Sequence, residues 1–171
     1  LSFTEAYDLF REEVIAGAEA GADLIVIETM TDLYEVKAAV LAAKENSDKP
    51  VLVTMTFEEN MRTFTGVSPD CMAALLEGLG ADAIGVNCSL GPEELYPVLE
   101  RLCGLTTLPV IAKPNAGLPD PVTNEYNVDP DSFAASAVKL AKAGVRIFGG
   151  CCGTTPGHIR ALVNALGGLS P

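Results

Sequence analysis

The sequence predicts an α/β fold, a partial (β/α)8 barrel of the TIM type. Short apolar runs alternate with helical patterns at intervals of about 30 residues, the size of one strand–helix unit. Right-handed crossovers between such units give either an open parallel sheet or part of a barrel. No glycine-rich dinucleotide fingerprint follows the first run, which disfavours a Rossmann fold. We expect residues 1–171 to form about five C-terminal units of the eight in a barrel, with about three units preceding Leu1.

The predicted strands are short and mostly apolar. In chain order they cover residues 24–28, 51–57, 83–87, 110–113 and 145–148. The first is a continuous apolar run, which is typical of parallel strands buried on both faces. Long polar loops, residues 58–67 and 114–128, follow the second and fourth strands. They place the elaborated edge of the sheet at the carboxyl ends of the strands, as in barrels.

Helix start signals lie between these strands. Ser68–Pro69 and Asp129–Pro130 each combine a capping residue with proline at the first helical position. Pro92 is followed by two glutamates, which suit the positive end of a helix dipole. In chain order the predicted helices cover residues 3–20, 33–45, 69–79, a segment beginning at 92, 130–143 and 156–166.

A weak internal repeat supports a chain of equivalent units. Gly21, Gly80 and Gly144 each end a predicted helix, and each is closely followed by a predicted strand. Glycine suits such a helix end because it adopts the left-handed conformation without strain.

Composition narrows the classes of function. The chain carries 23 acidic and 11 basic residues, a formal charge of -12, which argues against nucleic acid or an anionic membrane surface as a partner. No apolar run approaches the roughly 18 residues of a membrane span, and the N-terminus shows no signal-peptide pattern. Five cysteines without a secretory signal favour a reduced, cytoplasmic compartment and metal or catalytic use.

Three cysteines lie where predicted strands end. Cys88 follows the third strand, and Cys151 and Cys152 follow the fifth, where flanking glycines permit the backbone to turn. Because the carboxyl ends of parallel strands meet at one rim, we expect the three sulfurs to converge. Three thiolates and one open position describe a catalytic zinc site.

Other interpretations of the cysteines stay open. Cys88 alone is also typical of a buried small hydrophobic residue. The Cys151–Cys152 pair is also compatible with a vicinal disulfide, with plain packing, or with a metal-free redox dithiol. Cys71, within a helix, and Cys103, at a helix end, are expected to be packing residues.

Further polar residues lie near the predicted rim. Glu28 closes the first strand and is a candidate functional carboxylate, the alternative being a solvated carboxylate or one paired with Arg62. Lys113 ends the fourth strand, where a Schiff-base role is a minor alternative to a plain rim charge. His158 is expected to be a surface or capping residue. The loop at 62–66 is either a cover for the site or an ordinary surface loop.

Five stretches carry a resemblance to a known family. They are IETMTD at 27–32, RTFTG at 62–66, GVNCSLGP at 85–92, KPNAGLP at 113–119 and GGCCGTTPGHIR at 149–160. Together they resemble the homocysteine S-methyltransferase family, most closely the homocysteine-binding domains of cobalamin-dependent methionine synthases. The resemblance spans nearly the whole chain in order, and the double-cysteine motif is highly specific.

The resemblance implies a (β/α)8 barrel in which Cys88, Cys151 and Cys152 hold Zn²⁺ and the sulfur of homocysteine takes the open position. It also implies that Glu28 binds the substrate amino group. Asn115 is implied to lie near the metal and to take the fourth position when substrate is absent. No catalytic residue beyond the metal site is implied.

The implied activity is methyl transfer to homocysteine, giving methionine. Methylcobalamin, carried by another domain, is the implied donor, and the implied partners are folate- and cobalamin-binding domains of the same parent chain. The ending GGLSP, residues 167–171, resembles a linker. Alternative donors are S-methylmethionine and betaine. The other functional classes are a metal-free vicinal-dithiol redox protein and a non-catalytic fragment that keeps the ligands without the pocket.

Overall fold

The computed structural model describes residues 1–168, in which helices and strands alternate. The strands are β1 (Ile25–Met30), β2 (Val51–Met55), β3 (Ala83–Asn87), β4 (Val110–Lys113) and β5 (Ile147–Phe148). The helices are α1 (Phe3–Glu19), α2 (Leu33–Asn46), α3 (Pro69–Gly78), α4 (Tyr96–Cys103), α5 (Pro130–Ala143) and α6 (Pro156–Leu166). Residues 169–171 of the predicted linker lie outside the described part. No helix within residues 1–168 is long and apolar enough to cross a bilayer.

The strands form one parallel sheet in the order of the chain, β1-β2-β3-β4-β5. Ile27 pairs with Val53, Val53 with Ile84, and Ile84 with Val110. Each pair of neighbouring strands is joined through one helix, and consecutive helices pack against each other. This is the connectivity of successive (β/α)8 units and confirms the predicted α/β fold.

One face of the sheet packs against the helices and forms the main core. The strand residues on this face belong to a single buried apolar cluster, and they include Val53, Met55, Ile84, Val86, Val110 and Ala112. Because side chains alternate along a strand, the intervening residues face the opposite side, which we call the inner side. In a barrel this inner side faces the barrel axis.

The first strand is not buried on both faces, contrary to the prediction. Ile27 packs into the core, but Val26 is 46% exposed and Leu24, just before β1, is 43% exposed. An apolar run shows only that a strand suits burial. Whether its inner side is covered depends on neighbours, and β1 lies at an edge of the sheet.

The glycine repeat has the predicted backbone conformation. Gly21, Gly80 and Gly144 have φ values of 91°, 78° and 120°, all left-handed. After Gly144, the Val145 N–H donates to the Leu140 carbonyl at 3.1 Å within the turn that ends α5. For this reason β5 begins two residues later than predicted.

The fourth helix also begins later than predicted. It starts at Tyr96, because residues 92–95 form turns. The Glu93 carboxylate does not serve a helix N-terminus there. It accepts hydrogen bonds from the Ser136 hydroxyl at 2.7 Å and the Lys139 ammonium at 2.8 Å, and it thereby ties this turn to α5.

Candidate metal centre

Three thiols converge beyond the carboxyl ends of β3 and β5. The Sγ atoms of Cys88 and Cys152 are 3.7 Å apart, and those of Cys151 and Cys152 are 4.0 Å apart. All three sulfurs lie within 4.8 Å of one another. The convergence expected from the strand ends is therefore present.

The spacing of these sulfurs fits a tetrahedral metal ion. With Zn–S bonds of about 2.3 Å, tetrahedral geometry places neighbouring sulfurs about 3.8 Å apart. Two of the three sulfur pairs lie near that value. Thiolates are soft donors that suit zinc. Three of them leave a fourth position free, which is the arrangement of catalytic rather than structural zinc sites.

Two successive left-handed residues turn the chain at Cys88. Cys88 and Ser89 have φ values of 62° and 63°. This conformation costs about 1–2 kcal/mol for a residue with a side chain. Hydrogen bonds hold it, since the Cys88 N–H donates to the Lys113 carbonyl at 3.0 Å and the Leu90 N–H to the Cys88 carbonyl at 2.8 Å. The Cys88 sulfur is thereby fixed at the rim rather than following the strand direction.

A second turn presents Cys151 and Cys152. The Cys151 N–H donates to the Pro114 carbonyl at 2.8 Å. The Cys152 N–H donates to the Asn115 Oδ1 at 3.0 Å. The Thr154 hydroxyl closes the turn by donating to the Cys151 carbonyl at 2.6 Å. The loop after β4 thus holds both cysteine backbones, as the predicted strand-to-helix turn requires.

The Cys151 thiol resists ionisation in the absence of a cation. Burial, followed by the hydrogen bond to Cys88 and the charges of Cys88 and Cys152, raises the pKa of the Cys151 thiol to about 11. Several negative sulfurs in one place repel each other. A bound divalent cation reverses this balance and favours the thiolates.

Asn115 is buried beside the cysteine turn, with only 3% of its surface exposed. Its Oδ1 accepts the Cys152 N–H described above, so its observed contact is with the backbone of a candidate ligand. A carbonyl oxygen has two lone pairs, and this bond uses one of them. Asn115 therefore lies beside the cysteine turn, and its place near a metal ion stays a prediction.

Glu28 and Lys113 form an ion pair across the inner side, between residues 85 apart in sequence. The predicted alternative partner, Arg62, instead donates to the Gly66 carbonyl at 3.2 Å, so that alternative is wrong. Lys113 is engaged by the Glu28 carboxylate, so its observed contact is that of a rim charge. The pair lies at the strand ends that also carry the thiols.

Asn87 is a site residue that the sequence expectations missed. It is 1% exposed. Its Oδ1 accepts the Thr29 N–H at 2.8 Å and the Thr54 hydroxyl at 2.7 Å, and its Nδ2 donates to the Thr29 hydroxyl at 2.8 Å. Since Thr29 adjoins Glu28 and Asn87 adjoins Cys88, these bonds fix two candidate site residues relative to each other. The available signal was an asparagine that ends an otherwise apolar strand.

Tyr126 is the second residue that was missed. Its ring packs on Gly153, where a Cβ atom would lie 2.3 Å from the Tyr126 Cγ. Burial first, and then the neighbouring Cys152 thiol, raises the pKa of the Tyr126 hydroxyl. The ring therefore covers the cysteine turn. No local pattern distinguishes this tyrosine from others in a polar loop.

The remaining expectations have mixed outcomes. His158 caps α6, because its Nδ1 accepts the Thr155 N–H at 3.1 Å, but it is buried rather than at the surface. Its Nε2 lies 2.8 Å from the Val128 carbonyl. Cys103 packs against the core as expected, whereas Cys71 is exposed and the packing interpretation of Cys71 is wrong.

Comparison with known proteins identifies the family of this chain. Residues 1–166 match the family described as homocysteine S-methyltransferase. The methionine synthases of Mycobacterium leprae and Mycobacterium tuberculosis are 38% and 36% identical over 93% and 95% of this chain. The chain spans 14% of the length of each of these relatives.

A solved structure has the same fold. The metallated form of the homocysteine methyltransferase MmuM from Escherichia coli superposes with a TM-score of 0.81 at 29% identity. The match covers 95% of this chain and 51% of that chain. The described sheet and its helices therefore correspond to part of a homocysteine methyltransferase fold.

Proposed function

Because this chain belongs to the homocysteine S-methyltransferase family, we propose that it binds Zn²⁺ through Cys88, Cys151 and Cys152 and presents homocysteine for methyl transfer, giving methionine. The observation that carries the proposal is the thiol spacing, 3.7 and 4.0 Å for two sulfur pairs, at the ends of two parallel strands. When bound, zinc supplies a Lewis acid that keeps a coordinating thiol deprotonated at neutral pH.

In this proposal the chain's own residues position the substrate and the ligands. Glu28 accepts the ammonium group of homocysteine. Asn115 holds the Cys152 backbone through its Oδ1, and the second lone pair of that oxygen is the one available to the fourth position when substrate is absent. Asn87 fixes the spacing between the Glu28 side of the site and Cys88.

The proposed reaction is an in-line displacement at a methyl carbon. The homocysteine thiol loses its proton, its sulfur forms a bond to the methyl group, and the bond between methyl and donor breaks with its electron pair leaving on the donor. The protein contributes position and an environment that favours the deprotonated sulfur. Apart from the three cysteines, no charged side chain has to contact the substrate sulfur in this reaction.

For the donor we propose methylcobalamin, recharged from methyltetrahydrofolate and carried by another domain. The two mycobacterial methionine synthases support this, since they are 38% and 36% identical to the chain whereas MmuM is 29% identical. Their greater length accommodates folate- and cobalamin-binding domains in the same parent chain. S-methylmethionine and betaine are the alternative donors.

We also propose that residues 1–171 form the C-terminal five units of a homocysteine-binding barrel domain. The exposed inner side of β1, with Val26 at 46% and Leu24 at 43%, is the surface that further barrel strands would cover. The cysteines are free thiols, and a cytoplasmic, reducing compartment keeps such thiols available for metal.

Metal analysis followed by thiol titration tests the proposal. Protein purified without chelator should hold about one zinc per chain, and homocysteine added to it should release protons and alter the absorption of a cobalt-substituted sample. Metal-free protein with a reducible Cys151–Cys152 bridge would instead support the redox alternative. If zinc-loaded protein gave neither proton release nor a spectral change with homocysteine, the non-catalytic alternative would be supported.

A further inference from the structure

We propose that Lys113 binds the carboxylate of the substrate, so that Glu28 and Lys113 together recognise the zwitterionic head of an α-amino acid. This inference rests on the proposed function, because it assumes that the substrate's thiol reaches the cysteine cluster. It adds a specificity determinant on a different strand from Glu28.

Lys113 lies on the strand that holds the backbone of the Cys88 turn. It pairs in register with Asn87 on β3, and its carbonyl accepts the Cys88 N–H at 3.0 Å. Its side chain is therefore one strand residue, or about 3.3 Å, deeper than the candidate ligand. Gly149 on the other side leaves room for the alkyl chain, since a Cβ there would lie 3.1 Å from the Lys113 Cγ.

The lysine is directed onto the inner side rather than into solvent. Its side chain is 21% exposed, compared with 60% for Lys139, which pairs with Glu93 at the surface. The Lys113 ammonium meets the Glu28 carboxylate, whose side chain is 53% exposed. A positive and a negative group are thus held together within reach of the open face of the site.

A zwitterionic ligand can replace this ion pair without leaving either protein charge unpaired. Its ammonium takes Glu28 and its carboxylate takes Lys113, so one ion pair is replaced by two. A thiol with only one charged group breaks the same pair but leaves one of the two protein charges without a partner. Sites of this kind discriminate against ligands that lack one polar group.

Three thiols that share the same chain of carbons between the sulfur and the charged groups test the inference by calorimetric titration of the zinc-loaded protein. They are homocysteine, 3-aminopropane-1-thiol, which lacks the carboxylate, and 4-sulfanylbutanoate, which lacks the ammonium. We expect homocysteine to bind roughly tenfold more tightly than either analogue, a modest factor because the ion pair is partly solvated.

Substitutions should produce a crossed pattern. Lys113→Met should weaken homocysteine roughly tenfold but should not weaken 3-aminopropane-1-thiol, because that analogue no longer has to break the ion pair. Glu28→Gln should likewise weaken homocysteine but not 4-sulfanylbutanoate. Lys113→Arg, which keeps the charge, should retain most of the preference for homocysteine. Lys139→Met is the matched control and should change none of these affinities.

Two results would overturn the inference and are distinguishable from failure of the proposed function. Equal binding of all three thiols to the wild-type protein would keep the thiol site but remove the role of both charges in recognition. If Lys113→Met weakened the binding of homocysteine and of 3-aminopropane-1-thiol equally, Lys113 would have only a structural role. If the zinc-loaded wild-type protein bound no thiol at all, the proposed function itself would be wrong, and this inference with it.

Discussion

The side-chain amide of Asn87 on β3 bonds both the N–H and the hydroxyl of Thr29 on β1, reaching across β2. Thr29 has a φ of 64°, a left-handed conformation that is rare for a β-branched residue. Such strain persists only where the surroundings hold it. The amide therefore maintains a strained position of the β1 backbone next to Glu28, and it does so from the end of the strand that leads into Cys88.

We expect Asn87→Ala to lower the free energy of unfolding by about 2–3 kcal/mol, because the Thr29 N–H and the Thr54 hydroxyl would lose a buried acceptor. Urea denaturation measures this. Asn60→Ala is the control, since Asn60 is exposed and accepts only the local Arg62 N–H at 2.9 Å; it should cost about 0.5 kcal/mol. Equal losses in the two variants would show that the amide network is not a stabilising feature.

Much of the site could be predicted because its main residues carry local signals. A cysteine at the end of an apolar run lies at the carboxyl edge of a parallel sheet, whatever the rest of the chain does. Cys88 and the Cys151–Cys152 pair each have this placement independently. Their convergence follows from the parallel topology, and topology follows from the repeat of strand and helix.

The remaining contacts join residues that are far apart in sequence, and no local sequence pattern predicts them. Glu28 on β1 pairs with Lys113 on β4 although β2 and β3 lie between them, and a sequence separation of 85 residues gives no hint of this. Cys71 and Val26 are exposed although their local patterns suggest burial. Burial is decided by the elements that cover a residue, and at an edge strand the local sequence does not identify them.

Cys88→Ser should weaken zinc binding by more than about a hundredfold, because a hydroxyl replaces one of three thiolate donors. Competition against a chromophoric chelator measures the change. Cys71→Ser is the matched control, since Cys71 is an exposed thiol outside the cluster, and it should leave zinc affinity unchanged. Unchanged affinity in Cys88→Ser would remove that cysteine from the metal centre.

Gly153→Ala tests the packing of Tyr126 over the cysteine turn. Gly153 has a φ of 76°, and an added Cβ would lie 2.3 Å from the Tyr126 Cγ. Gly21→Ala is the control, because Gly21 has a φ of 91° with no neighbouring atom within 4 Å. The control should lose only the backbone term of about 1–2 kcal/mol.

We expect Gly153→Ala to lose more stability than that control, by roughly another 1–3 kcal/mol from steric overlap, and also to bind zinc more weakly. Thermal unfolding and chelator competition give the two measurements. A Gly153 variant that matched the Gly21 variant in both would show that the tyrosine ring moves aside freely and that it does not constrain the cysteines.

Asp82 is a further test, of stability rather than of the site. Its Oδ2 accepts the Val51 N–H at 2.8 Å and the Lys44 ammonium at 3.2 Å, which join the starts of β2 and β3 to α2. The pKa of the Asp82 carboxyl is lowered mainly by the hydrogen bond from the Val51 N–H. Burial raises this pKa in part, and Lys44 lowers it further. The folded state therefore favours the ionised form.

A carboxyl whose pKa is lowered by folding stabilises the protein above its unfolded pKa of about 3.9, and this contribution is lost as the pH falls through the lower, folded value. Asp82→Asn should accordingly cost about 0.5–1 kcal/mol at neutral pH, a small value because the group is partly solvated. The difference from wild type should shrink below about pH 4. Denaturant titrations between pH 7 and 3 measure it, with Asp23→Asn, an exposed aspartate in the first copy of the glycine repeat, as the control. A difference that does not change with pH would mean that the carboxylate charge plays no part.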